Sequence, residues 1–224
     1  MTLGFARSNL SPMASDIHDK LGSRKCIIQA AAKLFARLGL DKCSTREIAK
    51  HSTSNISLIS YYFGGKEGLY KEVMRDHALE IKKSVAKIFQ HSEQHPKTQA
   101  SFIHQVGLMI ENMIWFRINH PDMSKIFARE KLTGMTYAKE IHDEIFYPMV
   151  KQFYEIFRDG QKLGYVRNDV NAALFFVSIS EGIWGFFEIT ECDTRLGDDC
   201  GHLDQNPEEL KKQIMNIYLR GVLV

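Results

Sequence analysis

The sequence predicts an all-α protein in which a small three-helix N-terminal domain is joined by a long helix to a larger helical domain. Apolar residues recur at helical spacing along most of the 224-residue chain, and 44% of its residues are hydrophobic, enough for a sizeable core. The charge is uneven. Residues 20–75 carry eleven Lys and Arg against four acids, a net charge of +7, whereas the whole chain carries +2. A polyanionic partner is therefore expected for the N-terminal quarter.

The first predicted helix spans residues 23–38, where apolar side chains repeat on one face. These residues are Ile27, Ile28, Ala31, Leu34, Phe35 and Leu38. Gly39 follows, and a glycine just beyond the last turn is a common helix end. Residues 1–22 have mixed polarity and no sustained periodicity, so we expect a flexible arm there.

A second, short helix is predicted to begin at Thr45. Ser44 and Glu47 have the spacing of a capping box, in which each side chain bonds to the backbone N–H of the other residue. Ile48 and Ala49 form the short inward face of this helix. The hydroxyl residues 52–54 then predict a turn, because short polar side chains compete for backbone hydrogen bonds.

A third helix is predicted from residue 56, with Asn55 as its N-cap. Ile56, Ile59 and Phe63 are spaced to form one buried stripe. The opposite face is uncharged and consists of Ser57, Leu58, Ser60 and Tyr61. Such a face suits a helix in the major groove of DNA, where hydroxyls bond to base edges and apolar atoms contact thymine methyl groups.

Two short helices joined by a tight turn have the geometry of a helix-turn-helix, whose second helix enters the groove. A helical hairpin in an ordinary core would show the same pattern. The excess of basic residues in this part of the chain favours DNA binding.

The run TREIAKHSTSNISLISYYFGGKEGLY resembles the DNA-binding domain of TetR/AcrR-type transcriptional regulators. The resemblance extends over about residues 23–73 and includes the capped second helix, a Tyr-x-Phe end of the third helix and a Lys-Glu start of the fourth. The chain departs from many members at Thr53-Ser54, where they have Gly-Val, and at Ser60, where they have Tyr.

The resemblance implies a helix-turn-helix DNA-binding domain at residues 23–75 and a helical effector-binding and dimerisation domain at residues 76–224. Residues expected to contact phosphates are Thr45, Tyr61 and Lys66. Residues expected near bases are Arg46, Ser57 and Leu58. The full set of candidate DNA-binding residues is Thr45, Arg46, Asn55, Ser57, Leu58, Ser60, Tyr61, Tyr62 and Lys66.

The remaining helices are predicted from apolar periodicity and from Pro and Gly punctuation. They lie at residues 67–91, 98–120, 121–132, 137–163 and 170–190, and from residue 207 onward. The first of these is too long to belong only to the small domain, so we interpret it as a rigid link. Residues 191–206 are predicted as a polar loop. The last helix is predicted to align four inward positions, Leu210, Ile214, Ile217 and Gly221.

The helix at 170–190 is apolar on almost every side and must be covered on every side. Small residues in it, including Gly182 and Gly185, permit close approach of another helix. We therefore predict a homodimer through a four-helix interface built by the last two helices of each chain. A monomeric core is the alternative.

Aromatic and methionine residues of the second domain are candidates for lining a ligand pocket, since ligand sites are mostly apolar with a few polar groups. They are Met109, Met113, Trp115, Phe116, Phe146, Met149, Phe153 and Trp184. The candidate polar anchors are His104, Glu111 and Glu181. Apolar residues at helical spacing are also typical of an ordinary hydrophobic core, which is the alternative. The family resemblance implies an inducer pocket for a small, largely apolar molecule.

Other chemistries find little support in the sequence. It contains neither GxGxxG nor GxSxG, and Gly65-Lys66 lacks the remainder of a phosphate-binding loop. We therefore predict no enzymatic activity and no cofactor. His91 and His95 lack a zincin glutamate, and Cys192, Cys200 and His202 share a polar loop without a close cysteine pair, so no metal site is predicted.

The four cysteines are expected to be reduced thiols. No uninterrupted apolar run reaches the roughly 18 residues of a membrane span, and the N-terminus lacks a signal-peptide pattern, so a cytoplasmic protein without membrane contact is expected. With the resemblance, the sequence predicts a repressor that binds a palindromic operator as a homodimer and is released by a small molecule. The alternative is a DNA-binding protein whose second domain holds a protein partner.

Overall fold

The computed structural model describes residues 12–90, 96–192 and 194–224. These residues are mainly helical, as predicted, with one isolated antiparallel bridge between Val166 and Leu223. The chain divides into two compact units, Met1–Met74 and Arg75–Val224, and the division falls one residue from the predicted boundary.

The N-terminal unit contains three helices and the first part of a fourth. They are α1 (Pro12–Lys42), α2 (Thr45–His51), α3 (Ser57–Phe63) and α4 (Lys66–Gln90). Helix α1 is interrupted at Gly39, whose φ of 77° lies outside the helical region. It begins at Pro12, so residues 12–22 of the predicted arm are helical here, while residues 1–11 lie outside the described part of the chain.

Buried side chains from all four helices form the core of this unit. Those with no exposed surface include Ile27, Ala31, Phe35, Ile48, Ile59 and Leu69. The predicted stripe of α3 is wrong at Ile56, which is 43% exposed. The helix begins one residue later, at Ser57, so Ile56 does not share the inward face of Ile59.

Helices α3 and α4 meet at a corner built from glycines. Gly64 and Gly65 have φ of 71° and 123°, values that side chains rarely allow. A Cβ on Gly68 would lie 1.8 Å from the carbonyl oxygen of Phe63. The first turn of α4 can therefore approach the end of α3 only with glycine at this position.

The C-terminal unit holds the remainder of α4 and seven further α-helices. They are α5 (Gln99–Asn119), α6 (Pro121–Leu132), α7 (Lys139–Ile141), α8 (Tyr147–Lys162), α9 (Ala172–Cys192), α10 (Thr194–Asp199) and α11 (Pro207–Leu219). A π-helix at His142–Phe146 separates α7 from α8, so the single helix predicted at 137–163 is interrupted. The predicted loop at 191–206 instead contains α10 and a 3₁₀ turn at Leu203–Gln205.

The prediction for the inward face of α11 is wrong at two positions. Ile217 is 68% exposed, and Gly221 follows the end of the helix. The packed face is centred instead on Ile214 and Tyr218, whose hydroxyl donates to the Ser178 carbonyl at 2.9 Å. Relative to the prediction, α11 is rotated about its axis, and Ile217 therefore faces solvent.

Helices α5, α8, α9 and α11 share the core of the C-terminal unit, where aromatic and branched side chains interlock. Its fully or almost fully buried members include Phe102, Ile110, Ile114, Phe153, Phe157 and Ile183. Arg117 of α5 is 2% exposed, pairs with Glu191 at 2.8 Å and lies over the Phe187 ring. This ion pair, buried at Arg117 and exposed at Glu191, links α5 to the end of α9.

Helix α9 is, among the described helices, the one long and apolar enough to cross a membrane by length and composition, with a mean hydropathy of 1.4. Core helices of soluble proteins meet the same criterion. One side of α9 is buried through Phe175, Ile179 and Ile183, while its other side is exposed.

Two polar contacts of long sequence separation hold α1 against α4 in the N-terminal unit. The Lys66 ammonium donates to the Leu40 carbonyl at 2.8 Å and is 3.4 Å from that of Asp41. Arg24 pairs with Glu72, and its guanidinium lies 5.4 Å from the centre of the Phe63 ring. Lys66 therefore contributes to the stability of this unit, whatever else it contacts.

We expect Lys66→Gln to lower the free energy of unfolding by about 1 kcal/mol, because a charged donor to the end of α1 is weakened. Urea denaturation followed by circular dichroism measures this change. Lys25→Gln, which removes an equal charge from an exposed position on α1, is the matched control and should leave the midpoint unchanged. Equal midpoints for both variants would contradict a structural role for Lys66.

Candidate functional site

The start of α2 has the predicted capping box. The Glu47 N–H donates to the Ser44 hydroxyl at 3.2 Å, and the Ser44 N–H donates to the Glu47 carboxylate at 3.0 Å. Hydrogen bonds from the Ser44 side chain and then its backbone lower the pKa of Glu47. Thr45 and Arg46 follow directly, with Thr45 half-buried and Arg46 exposed. The cap thus fixes the backbone that presents Arg46.

The turn between α2 and α3 contains a residue in a costly conformation. Thr53 has a φ of 54°, in the left-handed region. For a residue with a Cβ this costs roughly 1–2 kcal/mol. The sequence departs from the family pattern at this position, and the structure shows that Thr53 adopts positive φ without a glycine.

Helix α3 is held at its start by Asn55. The Asn55 side-chain oxygen accepts from both the N–H and the hydroxyl of Ser57, each at 2.9 Å. The predicted N-cap is wrong by one residue, because α3 begins at Ser57 with Ile56 as its N-cap, and Ile56 makes no side-chain cap bond. The bond also fixes the direction of the Ser57 hydroxyl.

The outward side of α3 has no charged residue. We call Ile56, Ser57, Ser60 and Tyr61 the α3 face, since all four are exposed and Tyr61 is 74% exposed. Leu58 and Tyr62 are half-buried at its margins, and the Tyr62 ring lies 5.1 Å from that of Tyr61. Most of the predicted DNA-binding residues are therefore accessible on or beside one helix.

Lys66 differs from the other candidates because its ammonium is engaged within the protein. Two of its three donors have backbone carbonyls of α1 within reach. Sequence reasoning missed this contact because Leu40 lies 26 residues earlier and has no local signal.

A cavity of about 270 Å³ lies within the C-terminal unit among α4, α5, α6, α8 and α9. Six of the eight predicted residues line it: Met109, Met113, Phe116, Phe146, Met149 and Trp184. Two do not. Trp115 is 46% exposed at the surface, and Phe153 is buried in the core beneath the cavity. Neighbouring positions on one helix face different directions, so Trp115 points away where Phe116 points in.

The polar groups of the cavity differ from the predicted anchors. Those that line it include Asn112, Ser124, Lys131, His142 and Glu188. His104 is exposed, Glu111 pairs with Lys211, and Glu181 pairs with Lys131 at 2.8 Å. The predicted anchors thus lie on the surface of α5 and α9, and sequence could not locate the actual polar positions because they come from four different helices.

Two sets of histidines and cysteines are candidates for metal binding from the sequence. His91 and His95 lie outside the described residues. Within the described ranges, Cys192, Cys200 and His202 do not converge into a three-ligand group. His202 lies 3.8 Å from Asp198, and both are exposed.

Comparisons with known proteins agree with this geometry. Residues 27–73 match the family model described as "Bacterial regulatory proteins, tetR family". A protein of Bacillus subtilis (strain 168) named "Probable HTH-type transcriptional regulator YttP" is 27% identical over 143 residues, which cover 64% of this chain and 67% of that protein.

Two solved structures share the fold. The ketosteroid transcriptional regulator KstR2 of Mycobacterium tuberculosis gives a TM-score of 0.66 at 16% identity, covering 90% of this chain and 95% of that one. FadR from Bacillus subtilis in complex with stearoyl-CoA gives 0.66 at 14% identity, covering 88% and 98%. Together with the helix-turn-helix geometry, these matches show that residues 27–73 resemble the DNA-binding domain of TetR-family regulators and that the chain is similar to bacterial transcriptional regulators.

Proposed function

We propose that the protein is a repressor that binds a palindromic operator as a homodimer and is released when a small, largely apolar molecule occupies the cavity in the C-terminal unit. The observation that carries the proposal is the uncharged, exposed α3 face within a strongly basic N-terminal unit. Basic residues supply phosphate affinity, and an uncharged helix face supplies base contacts.

The proposed roles of the DNA-binding residues follow from their chemistry. The hydroxyls of Ser57, Ser60 and Tyr61 are able to bond base edges or phosphates, and Leu58 offers apolar contact to a thymine methyl group. Arg46, in the first turn of α2, is proposed to lie near bases or backbone. As an exposed cation it also adds to the counterion release that drives binding.

Arg46→Gln is expected to weaken binding to a mixed-sequence duplex and to lower the salt slope of the binding constant by about one. Tyr61→Phe, which removes a hydroxyl but no charge, is the control and should retain the wild-type slope. Fluorescence anisotropy at a series of salt concentrations measures both. An unchanged slope for Arg46→Gln would remove this residue from the interface.

The proposed dimer interface is the exposed side of α9 with part of α11. Large apolar side chains there are 48–68% exposed, namely Leu174, Val177, Ile189 and Ile217. Gly185 has open space where a Cβ would be, which would allow a second helix to approach closely. Besides their contacts at the cavity and with Lys131, Glu188 and Glu181 are exposed on the same helix, and these carboxylates favour a protein partner over lipid.

Val177→Asp should convert the dimer into monomers, because it places a charge within an apolar interface that the partner must desolvate. Sedimentation equilibrium gives the molecular mass in solution. Leu132→Asp is the matched control, since Leu132 is 87% exposed at the end of α6 and should leave the mass unchanged. A wild-type chain that sediments as a monomer would contradict the proposed interface.

The cavity supports release by a small molecule. Its lining is mainly apolar, and its volume of about 270 Å³ is just below the roughly 300–1,000 Å³ typical of ligand sites. Ile81 and Val85 of α4 belong to the lining, so a bound molecule would contact the helix that begins at Lys66. A dimer must match half-sites about 34–36 Å apart, so a small shift of α4 would lower operator affinity.

The cavity also supports the proposal over its alternative, a second domain that holds a protein partner. A second domain that only holds a protein partner would have no need of an internal apolar space. The solved structure of FadR with stearoyl-CoA shows a protein of the same fold with an acyl ligand, which supports an apolar effector here.

Ala128→Phe should fill the cavity and weaken binding of a fluorescent long-chain fatty acid by at least about tenfold, or about 1.4 kcal/mol. Ala86→Phe makes the same change at an exposed position on α4, next to the lining residue Val85, and should bind the probe like the wild type. Circular dichroism verifies that both variants fold. Equal affinity for the two folded variants would contradict the cavity as the ligand site.

A further inference from the structure

Two histidines and a glutamate converge beside the cavity, within the C-terminal unit. His77 and Glu80 lie on α4, and His120 lies between α5 and α6. One possible ligand atom from each of the three lies within 4.8 Å of the other two. The Nδ1 atom of His77 is 3.9 Å from the Glu80 carboxylate.

His77 is buried and His120 is half-buried, and each has a buried ring nitrogen without a hydrogen-bond partner among the described residues. His77 is 6% exposed, and the Nε2 atoms of both His77 and His120 are buried with no hydrogen-bond partner among the described residues. Buried polar atoms in proteins nearly always have a partner, and each exception calls for an explanation such as an unobserved ion. The two ring centres are only 4.5 Å apart, so both histidines face one small volume.

Aromatic packing holds both histidine rings in place. The ring centres of His77 and Phe116 lie 4.6 Å apart. Phe116 stacks on His120 at 4.9 Å and limits the motion of that ring.

We propose that His77, His120 and Glu80 bind one divalent transition-metal ion of the Zn²⁺ type, with water completing its coordination. Two imidazole nitrogens and a carboxylate oxygen form a common zinc ligand set, whereas magnesium and calcium prefer oxygen ligands alone. Zinc–ligand distances of about 2.0–2.2 Å place tetrahedral ligand atoms roughly 3.4 Å apart. The Glu80 side chain is 61% exposed, so a change of its rotamer can close the remaining gap, and an ion can enter from solvent.

This site is separate from the α3 face, and its residues are not among those that line the cavity. Phe116 is shared between the two, because it lines the cavity and also stacks on His120. A bound ion would join α4 to the turn between α5 and α6. It would therefore stabilise the folded C-terminal unit by mass action.

The test uses the full-length, untagged, metal-stripped protein and two probes, Zn²⁺ in competition with a chromophoric chelator and Co²⁺ by absorption. We expect one ion per chain, visible cobalt bands and no thiolate charge-transfer band in the near ultraviolet. Glu80→Gln, at an exposed position that folding tolerates, and His120→Gln should each weaken Zn²⁺ binding by at least about tenfold.

His202→Gln is the matched control, because His202 also lies near a carboxylate, that of Asp198, but on the surface. It should bind Zn²⁺ like the wild type. If Glu80→Gln binds Zn²⁺ with the affinity of the wild type, the proposal is overturned. A Co²⁺ spectrum dominated by thiolate charge-transfer bands would overturn it too. If His120→Gln does not fold, Glu80→Gln decides the outcome.

Discussion

The position of α3 depends on its close packing against α1 and α4. A helix of seven residues is too short to be stable alone in water. Three contacts hold it: the fully buried Ile59 side chain, the Arg24 guanidinium near the Phe63 ring, and the approach of Gly68 to the Phe63 carbonyl. The α3 face is therefore presented to solvent by contacts on the opposite side of the same helix.

Charge and apolar surface are divided between the two units in a way that suits regulation. The N-terminal unit concentrates positive charge around an uncharged helix face, the arrangement that the proposed recognition of a DNA sequence requires. The C-terminal unit holds an apolar cavity and an exposed apolar side of α9. Helix α4 contributes Lys66 to the first unit and Ile81 to the cavity of the second.

Features encoded by near neighbours in sequence were predictable. The capping box at Ser44 and Glu47, the break at Gly39 and the helix start at Pro207 each depend on residues within one turn of each other. The helical periodicity of the apolar residues likewise indicated the all-α fold class. Six of eight predicted pocket residues line the cavity because bulky apolar side chains on bundle helices point inward.

Features that depend on tertiary contacts were not predictable. The bond from Lys66 to Leu40 joins residues 26 positions apart, and the pairing of Arg24 with Glu72 spans 48. The meeting of His77 with His120 has no local signal, since both are isolated histidines in sequence. The exposure of Ile217 also depends on tertiary contacts. Met215 and Tyr218 pack against Gly107 and Gly182, which have no side chains, and this packing determines which face of α11 is buried.

The most direct test of the central claim is selection of bound DNA from a random duplex pool by the purified wild-type protein, followed by sequencing. We expect a two-fold symmetric motif whose half-sites are separated by about one helical turn, as a dimer of helix-turn-helix domains requires. Salt-sensitive binding without enrichment of any sequence would contradict it, because the α3 face would then not read bases.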